Sequence, residues 1–297
     1  MFFGKKKKDA DYIKRINKNG VFDNSFDDAL PQTTVAKEVR KHFESENQKH
    51  KKALIIALDG ARADSMLCIV KSDDMAVTGD NCDSPYSGVC ELKKEGGLYL
   101  SYAGAEVSSP QETSTAQGFA SILTGEWGVK NGVIKHTTLN DNCPTVLREY
   151  AEKGISASFL AIWPDHFNIT YKNEVAIAKA GKIPLEYKQF TKDLELHKAL
   201  KDHIKGDTDI IFGIYEGPDI NGHTSSFSLS NYRYTVAVMD GDSLSYELIE
   251  EVKKRKTYPE EDWLIIITSD HGGHNRGHGT QMIDDRMTFL ATNKKIK

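Results

Sequence analysis

Three aspartates and three histidines stand where a divalent metal could be held: Asp59, Asp219 and Asp270, with His223, His271 and His278. Asp59 closes the apolar run ALIIALDG, Asp219 follows DIIFGIYEG, and Asp270 with His271 closes WLIIITSD. His223 comes four residues after Asp219 in PDINGH, and His278 lies in the glycine-rich RGHG. Taken singly, an aspartate at a strand end is an ordinary cap or turn residue, and a histidine in a polar loop is a solvated one. Taken together they form a mixed oxygen and nitrogen set that suits zinc, with manganese as the alternative. Calcium or magnesium would call for more oxygen ligands.

These residues converge only if the runs before them are neighbouring strands. Short apolar runs at 53–60, 97–103, 156–163, 209–217, 263–270 and 287–293 read as buried strands, and helical patterns lie between them at 113–123, 145–154, 191–205 and 228–255. The alternation predicts an α/β fold with a largely parallel central sheet and helices on both faces. Ligands of such sheets bind beyond the carboxyl ends of the strands, which is where the six residues fall. Residues 1–50 are strongly polar and read as an N-terminal arm with one or two surface helices, leaving 51–297 as one folded domain. Turn formers crowd residues 73–88, a surface loop.

The net charge of −4, from 39 basic and 43 acidic residues, provides no global field for nucleic acid or an anionic membrane, so neither is an expected partner. The Lys5 to Lys8 run reads as a solvated tail. No apolar stretch of signal-peptide length follows MFFGKKKK and none approaches ~20 residues, so a cytoplasmic location is the default expectation. Four cysteines are too few and too irregular for a disulfide framework. Cys82 and Cys90 are close enough to pair in an oxidising compartment, although buried free thiols are the commoner case.

The segments LDGARADSM, STAQGFASILTG, YEGPDINGH and SDHGGHNRGHG, in this order, resemble the metal-binding segments of the alkaline phosphatase superfamily, nearest its nucleotide pyrophosphatase/phosphodiesterase branch. The resemblance extends from about residue 53 to 293 and implies an alkaline-phosphatase-like fold, with 51–297 a metal-dependent phosphoesterase domain. It assigns Asp219, His223 and His278 to one metal and Asp59, Asp270 and His271 to another, with a nucleophile bridging both. The superfamily places that nucleophile ten residues before the glycine ending the following helix, and counting back from Gly125 reaches Thr115. Thr113 and Ser114 are its neighbours, and one of the three is expected to cap the helix. The implied reaction is hydrolysis of a small phosphate ester or nucleotide, a phosphodiester or pyrophosphate, through a phosphothreonine. A phosphomonoester substrate is the alternative, and a non-enzymatic metal-containing binding module a third reading.

The chain also departs from the family pattern. An asparagine commonly sits three residues after the nucleophile in the phosphodiesterase branch, and here Gly118 stands there, with Gln117 as the neighbour able to reach inward. Sulfatases need a cysteine or serine for conversion to formylglycine, which Thr115 cannot supply. The cofactor-independent mutases carry an inserted cap domain for which the spacing leaves no room. His274 and Arg276 match no ligand position. Trp163, His166 and Tyr171 in WPDHFNITYK are candidates to line a substrate pocket, with structural roles as the competing reading.

Overall fold

The computed structural model describes residues 29–70, with backbone alone for 67–70, and residues 84–106 and 108–296. The Lys5 to Lys8 run, Cys82 and most of the expected 73–88 loop lie outside the described residues. In chain order the elements are β1 (Leu30–Pro31), α1 (Thr34–Glu44), β2 (His50–Leu58), α2 (Ala63–Val70), α3 (Gly88–Glu95), β3 (Gly97–Tyr102), α4 (Thr115–Thr124), α5 (Gly128–Asn131), α6 (Val146–Ala151) and β4 (Ala157–Ala161). A π-helical turn (His166–Thr170), α7 (Lys172–Lys179), β5 (Leu185–Gln189), α8 (Asp193–Lys205), β6 (Ile210–Tyr215), α9 (Gly217–Thr224) and α10 (Tyr232–Lys253) follow. The chain then forms β7 (Glu261–Thr268), α11 (Ile283–Arg286) and β8 (Met287–Thr292).

The eight strands make one sheet in the order β1-β3-β8-β7-β2-β6-β4-β5. All pairings are parallel except those of β8, which runs against both β3 and β7. β2 lies between β7 and β6, with Ala57 opposite Thr268 and Leu58 opposite Tyr215, so these three strands end at one edge. Both faces of β2 are covered. Leu54, Ile56 and Leu58 pack into one core with Leu200 of α8 and Val238 and Leu248 of α10, while Ala53, Ile55 and Ala57 pack into the other with Val39 of α1 and Phe119 and Leu123 of α4. This is why the strand reads as an unbroken apolar run and not an alternating one.

Residues 30–44 differ from the expected polar arm. β1 extends the sheet beside β3, and α1 buries Val35, Ala36 and Val39. Arg40 of α1 donates to the Thr124 carbonyl at 3.0 Å and pairs with Glu149 at 2.8 Å, tying the helix to the ends of α4 and α6. Among the described residues, β1 and α1 thus pack onto the sheet that residues 51–297 build. No helix among them is long and apolar enough to cross a membrane. Cys90, buried on α3, is disulfide-bonded, and Cys143 is a half-buried free thiol.

Candidate metal centre

Because β2, β6 and β7 are adjacent and parallel, the residues that follow them meet. Asp59 comes directly after β2, and its N–H donates to the Tyr215 carbonyl at 2.9 Å. Asp270 and His271 follow β7 by two and three residues, and Gly60 N–H donates to Asp270 Oδ1 at 3.1 Å. Asp219 and His223 sit one turn apart on α9, so their side chains share a face, and His278 comes in on the loop after β7. The six residues form two groups, Asp59 with Asp270 and His271, fully buried, and Asp219 with His223 and His278, more open. Within each group the ligand atoms all lie within 4.8 Å of one another. The His271 and His278 rings stack with centroids 3.8 Å apart, which brings the groups side by side.

Hydrogen bonds settle the imidazole tautomers. His271 Nδ1 lies 2.7 Å from the Gly272 carbonyl, His223 Nδ1 2.9 Å from that of Arg276, and His278 Nδ1 3.0 Å from that of Thr113. A carbonyl only accepts, so each Nδ1 carries the proton and each Nε2 presents a lone pair. His223 Nε2 and His278 Nε2 then face each other at 3.1 Å with no hydrogen between them. His271 Nε2 lies 3.4 Å from Asp59 Oδ1 and 3.2 Å from Asp270 Oδ2. These two oxygens, and Asp219 Oδ1, are buried without a hydrogen-bond donor. Lone pairs crowding in this way repel one another unless a cation lies among them.

Electrostatics agree. Burial, then the charges of Asp270 and Asp219, pushes the Asp59 carboxyl well above the usual carboxylate range. Burial, then the charge of Asp219, does the same for Asp270, while burial holds the His271 imidazole well below its ordinary value. Burial and mutual repulsion thus work against the charged forms of Asp59, Asp270 and His271, an arrangement that lacks a positive partner. A bound dication reverses that preference. The donor set and its crowded lone pairs fit two divalent ions.

Thr115 is the first residue of α4, and its Oγ1 lies 3.2 Å from His271 Nε2. Its neighbours are differently placed. The Thr113 hydroxyl donates to the Thr280 carbonyl at 2.6 Å and accepts the Gly279 N–H at 3.1 Å, which anchors the loop carrying His278. Ser114 is the N-cap but makes no side-chain cap hydrogen bond, so the capping expected of one of the three is not made by the cap residue.

The supporting contacts include residues that sequence reasoning passed over. Arg62 binds Asp64 through two nitrogens at 2.9 and 2.7 Å, Asp284 at 2.9 Å, and the carbonyls of Phe227 and Gly273 at 2.9 and 3.1 Å, clamping three loops together. Asp193 accepts the N–H groups of Glu216 and Gly217 at 3.0 Å each, holding the start of the helix that presents Asp219. Arg62 lies inside the LDGARADSM segment and could have been suspected. No spacing pointed to Asp193, because only the fold brings α8 against the end of β6.

None of the remaining candidates contributes a side-chain ligand atom to the two groups, although the Arg276 carbonyl holds His223 Nδ1. His274 Nδ1 donates to Asp285 at 2.6 Å, and Arg276 Nε donates to the Ser225 carbonyl at 3.3 Å. Gln117 does not serve the site, since its amide donates to Glu112 at 3.0 Å. His166 and Tyr171 are fully buried among Phe119 and Phe159, a core role and not a pocket wall. Trp163 is half-buried and stacks on His136 with centroids 5.0 Å apart.

The sequence matches no protein-family model and no curated protein. Among solved structures, the fold is similar to that of a 2-O GAG sulfatase at 10% identity and a TM-score of 0.54, covering 83% of this chain and 64% of that one. It is similar to Ps i-CgsB at 15% identity and 0.51, covering 84% and 68%. Human ectonucleotide pyrophosphatase/phosphodiesterase 5 matches at 15% identity and 0.50, covering 75% and 57%. This chain therefore spans 57% of the phosphodiesterase and 64% of the GAG sulfatase. The likenesses are similar in strength, so backbone shape does not separate the sulfatase from the phosphodiesterase, although the sequence segments resemble the latter. What these structures share with this chain is an alkaline-phosphatase-like fold.

Proposed function

We propose that this chain is a two-metal hydrolase of phosphate esters, favouring phosphodiesters or nucleotide pyrophosphates, that works through a phosphothreonine on Thr115. The observation that carries the reading is the Thr115 hydroxyl at the start of α4, 3.2 Å from His271 Nε2 and beside the two groups of buried carboxylates and neutral imidazoles. Two divalent ions held by those six residues, zinc or manganese by the chemistry of the donors, would supply the charge that activates a hydroxyl and offsets a phosphoryl group.

The chain's own residues do the rest. The start of α4 sets Thr115 Oγ1 3.2 Å from His271 Nε2, which places the hydroxyl beside the group that His271 belongs to. The helix start behind it offers backbone N–H groups that no side chain caps, and these favour phosphoryl oxygens. Oγ1 forms a bond to phosphorus as the bond to the leaving oxygen breaks. That oxygen keeps the electron pair and takes a proton, and water later cleaves the threonyl ester to restore the hydroxyl.

A threonine cannot become a formylglycine, which supports phosphate over sulfate esters. Diesters are favoured because Arg62, the arginine inside the site's first segment, spends its guanidinium on Asp64, Asp284 and the carbonyls of Phe227 and Gly273, leaving it no donor for a dianion. A disulfide at Cys90 supports an oxidising compartment over the cytoplasmic default. Comparing kcat/KM for a nitrophenyl diester, the matching monoester and the matching sulfate ester tests this. The diester is expected to lead by about tenfold, ~1.4 kcal/mol of transition-state stabilisation. A monoester lead supports the phosphatase alternative, sulfate turnover overturns the phosphate reading, and no turnover of any ester leaves the binding module.

A further inference from the structure

Phe227 lies between α9 and α10 and is only 1% exposed. Its ring stands where the three ligand-bearing segments meet, and each segment puts a glycine against it. A Cβ on Gly60 would stand 3.0 Å from the ring, one on Gly273 would stand 2.5 Å from it, and one on Gly222 would overlap it outright. The space those glycines leave is filled by this ring. It meets both outer imidazoles edge to face, with centroids 5.3 Å from His223 and 6.0 Å from His278 and interplanar angles of 85° and 82°. These are the two histidines whose Nε2 atoms face each other at 3.1 Å. Its backbone is pinned as well, since Phe227 N–H donates to the Asn275 carbonyl at 2.6 Å and its carbonyl accepts from Arg62 at 2.9 Å.

A phenyl ring offers a divalent ion no ligand atom, so its contribution can only be geometric. A flat, rigid group wedged against two imidazoles holds their tilt and separation, as outer contacts of metal ligands do elsewhere. We propose that Phe227 is a positioning residue for the Asp219, His223 and His278 group, setting the spacing of its two histidines and thereby the affinity of that group, and not the other, for a divalent ion. The proposal rests on the metal reading of that group.

The test is a zinc titration against a chromophoric chelator, run on the wild type and on Phe227→Leu, with thermal melting of both after chelation. Leucine keeps the site apolar but removes the flat ring. The stripped variant is expected to remain folded and to bind one of its two zinc equivalents about tenfold or more weakly, with the other unchanged, in line with the roughly 10- to 100-fold cost of altered outer contacts. Unchanged affinity for both equivalents, or equal weakening of both, would overturn the proposal. A stripped variant that does not fold would overturn it too, because Phe227 would then be a core residue first. A wild type that binds no zinc would remove the metal reading itself.

Discussion

Replacing Thr115 with alanine is expected to lower kcat by at least about a thousandfold, the scale seen when a covalent nucleophile is removed, while metal content stays near that of the wild type. The six carboxylate and imidazole ligands are untouched by the change, so only the attacking oxygen is lost. Thr115→Ser should keep part of the activity. The neighbours sharpen the test because their hydroxyls have different partners. Ser114→Ala removes no cap hydrogen bond, and so should cost less than the ~1 kcal/mol typical of a working N-cap. Thr113→Ala breaks the link to Thr280 and Gly279, and should loosen the loop carrying His278, so its defect is expected in metal retention. Stopped-flow or steady-state kinetics with metal analysis of the three variants separates these outcomes. A Thr115→Ala protein that turns over normally while Thr113→Ala or Ser114→Ala is dead would move the nucleophile.

A second large effect is expected at Gly118, where the phosphodiesterase branch commonly carries asparagine. Helix propensity alone says that Gly118→Ala in α4 should stabilise the protein by up to ~1 kcal/mol. Packing says the opposite. A Cβ there would stand 2.7 Å from the Asp270 carbonyl oxygen and 2.8 Å from Asp270 Cβ, and Asp270 is wholly buried. The obstacle is largely the backbone of a candidate metal ligand, which cannot swing away, so overpacking of roughly 1–3 kcal/mol should win. The glycine is what lets Asp270 and His271 lie against the helix that starts at Thr115. Gly118→Ala should therefore lower the melting temperature by several degrees, about 2–4 °C per kcal/mol for a chain of this size, and should cut kcat by about a hundredfold through displaced ligands. Gly118→Asn should be worse. A thermal melt that rises, with activity retained, would show that propensity wins and that Asp270 is not so closely packed.

The candidate site was legible because its chemistry sits at strand ends. ALIIALDG, DIIFGIYEG and WLIIITSD each hold an unbroken apolar stretch that gives way to polar residues at the strand end, as strands buried on both faces do, and the structure makes them the three adjacent central strands. Elements were missed where packing, not pattern, decides. β5, LEYKQ, is an edge strand with only Leu185 buried, so its sequence looks like surface. The helical stretch VAKEVRKHF was read as a surface helix, yet Val35, Ala36, Val39 and His42 form one narrow buried stripe among charges. The reversed direction of β8 leaves no trace in MTFLAT, because an apolar run carries no sense of direction. Phe227 and Asp193 were invisible for a related reason. Their roles depend on glycines and N–H groups from other segments, which only the folded chain assembles.

The central claim, a pair of divalent ions held by Asp59, Asp270 and His271 and by Asp219, His223 and His278, is most directly tested by elemental analysis of protein purified without chelator, coupled to turnover of a nitrophenyl diester. The account predicts two divalent ions per chain, zinc or manganese, with activity lost on chelation and restored when the metal is returned. A protein that remains fully active in excess chelator would contradict it.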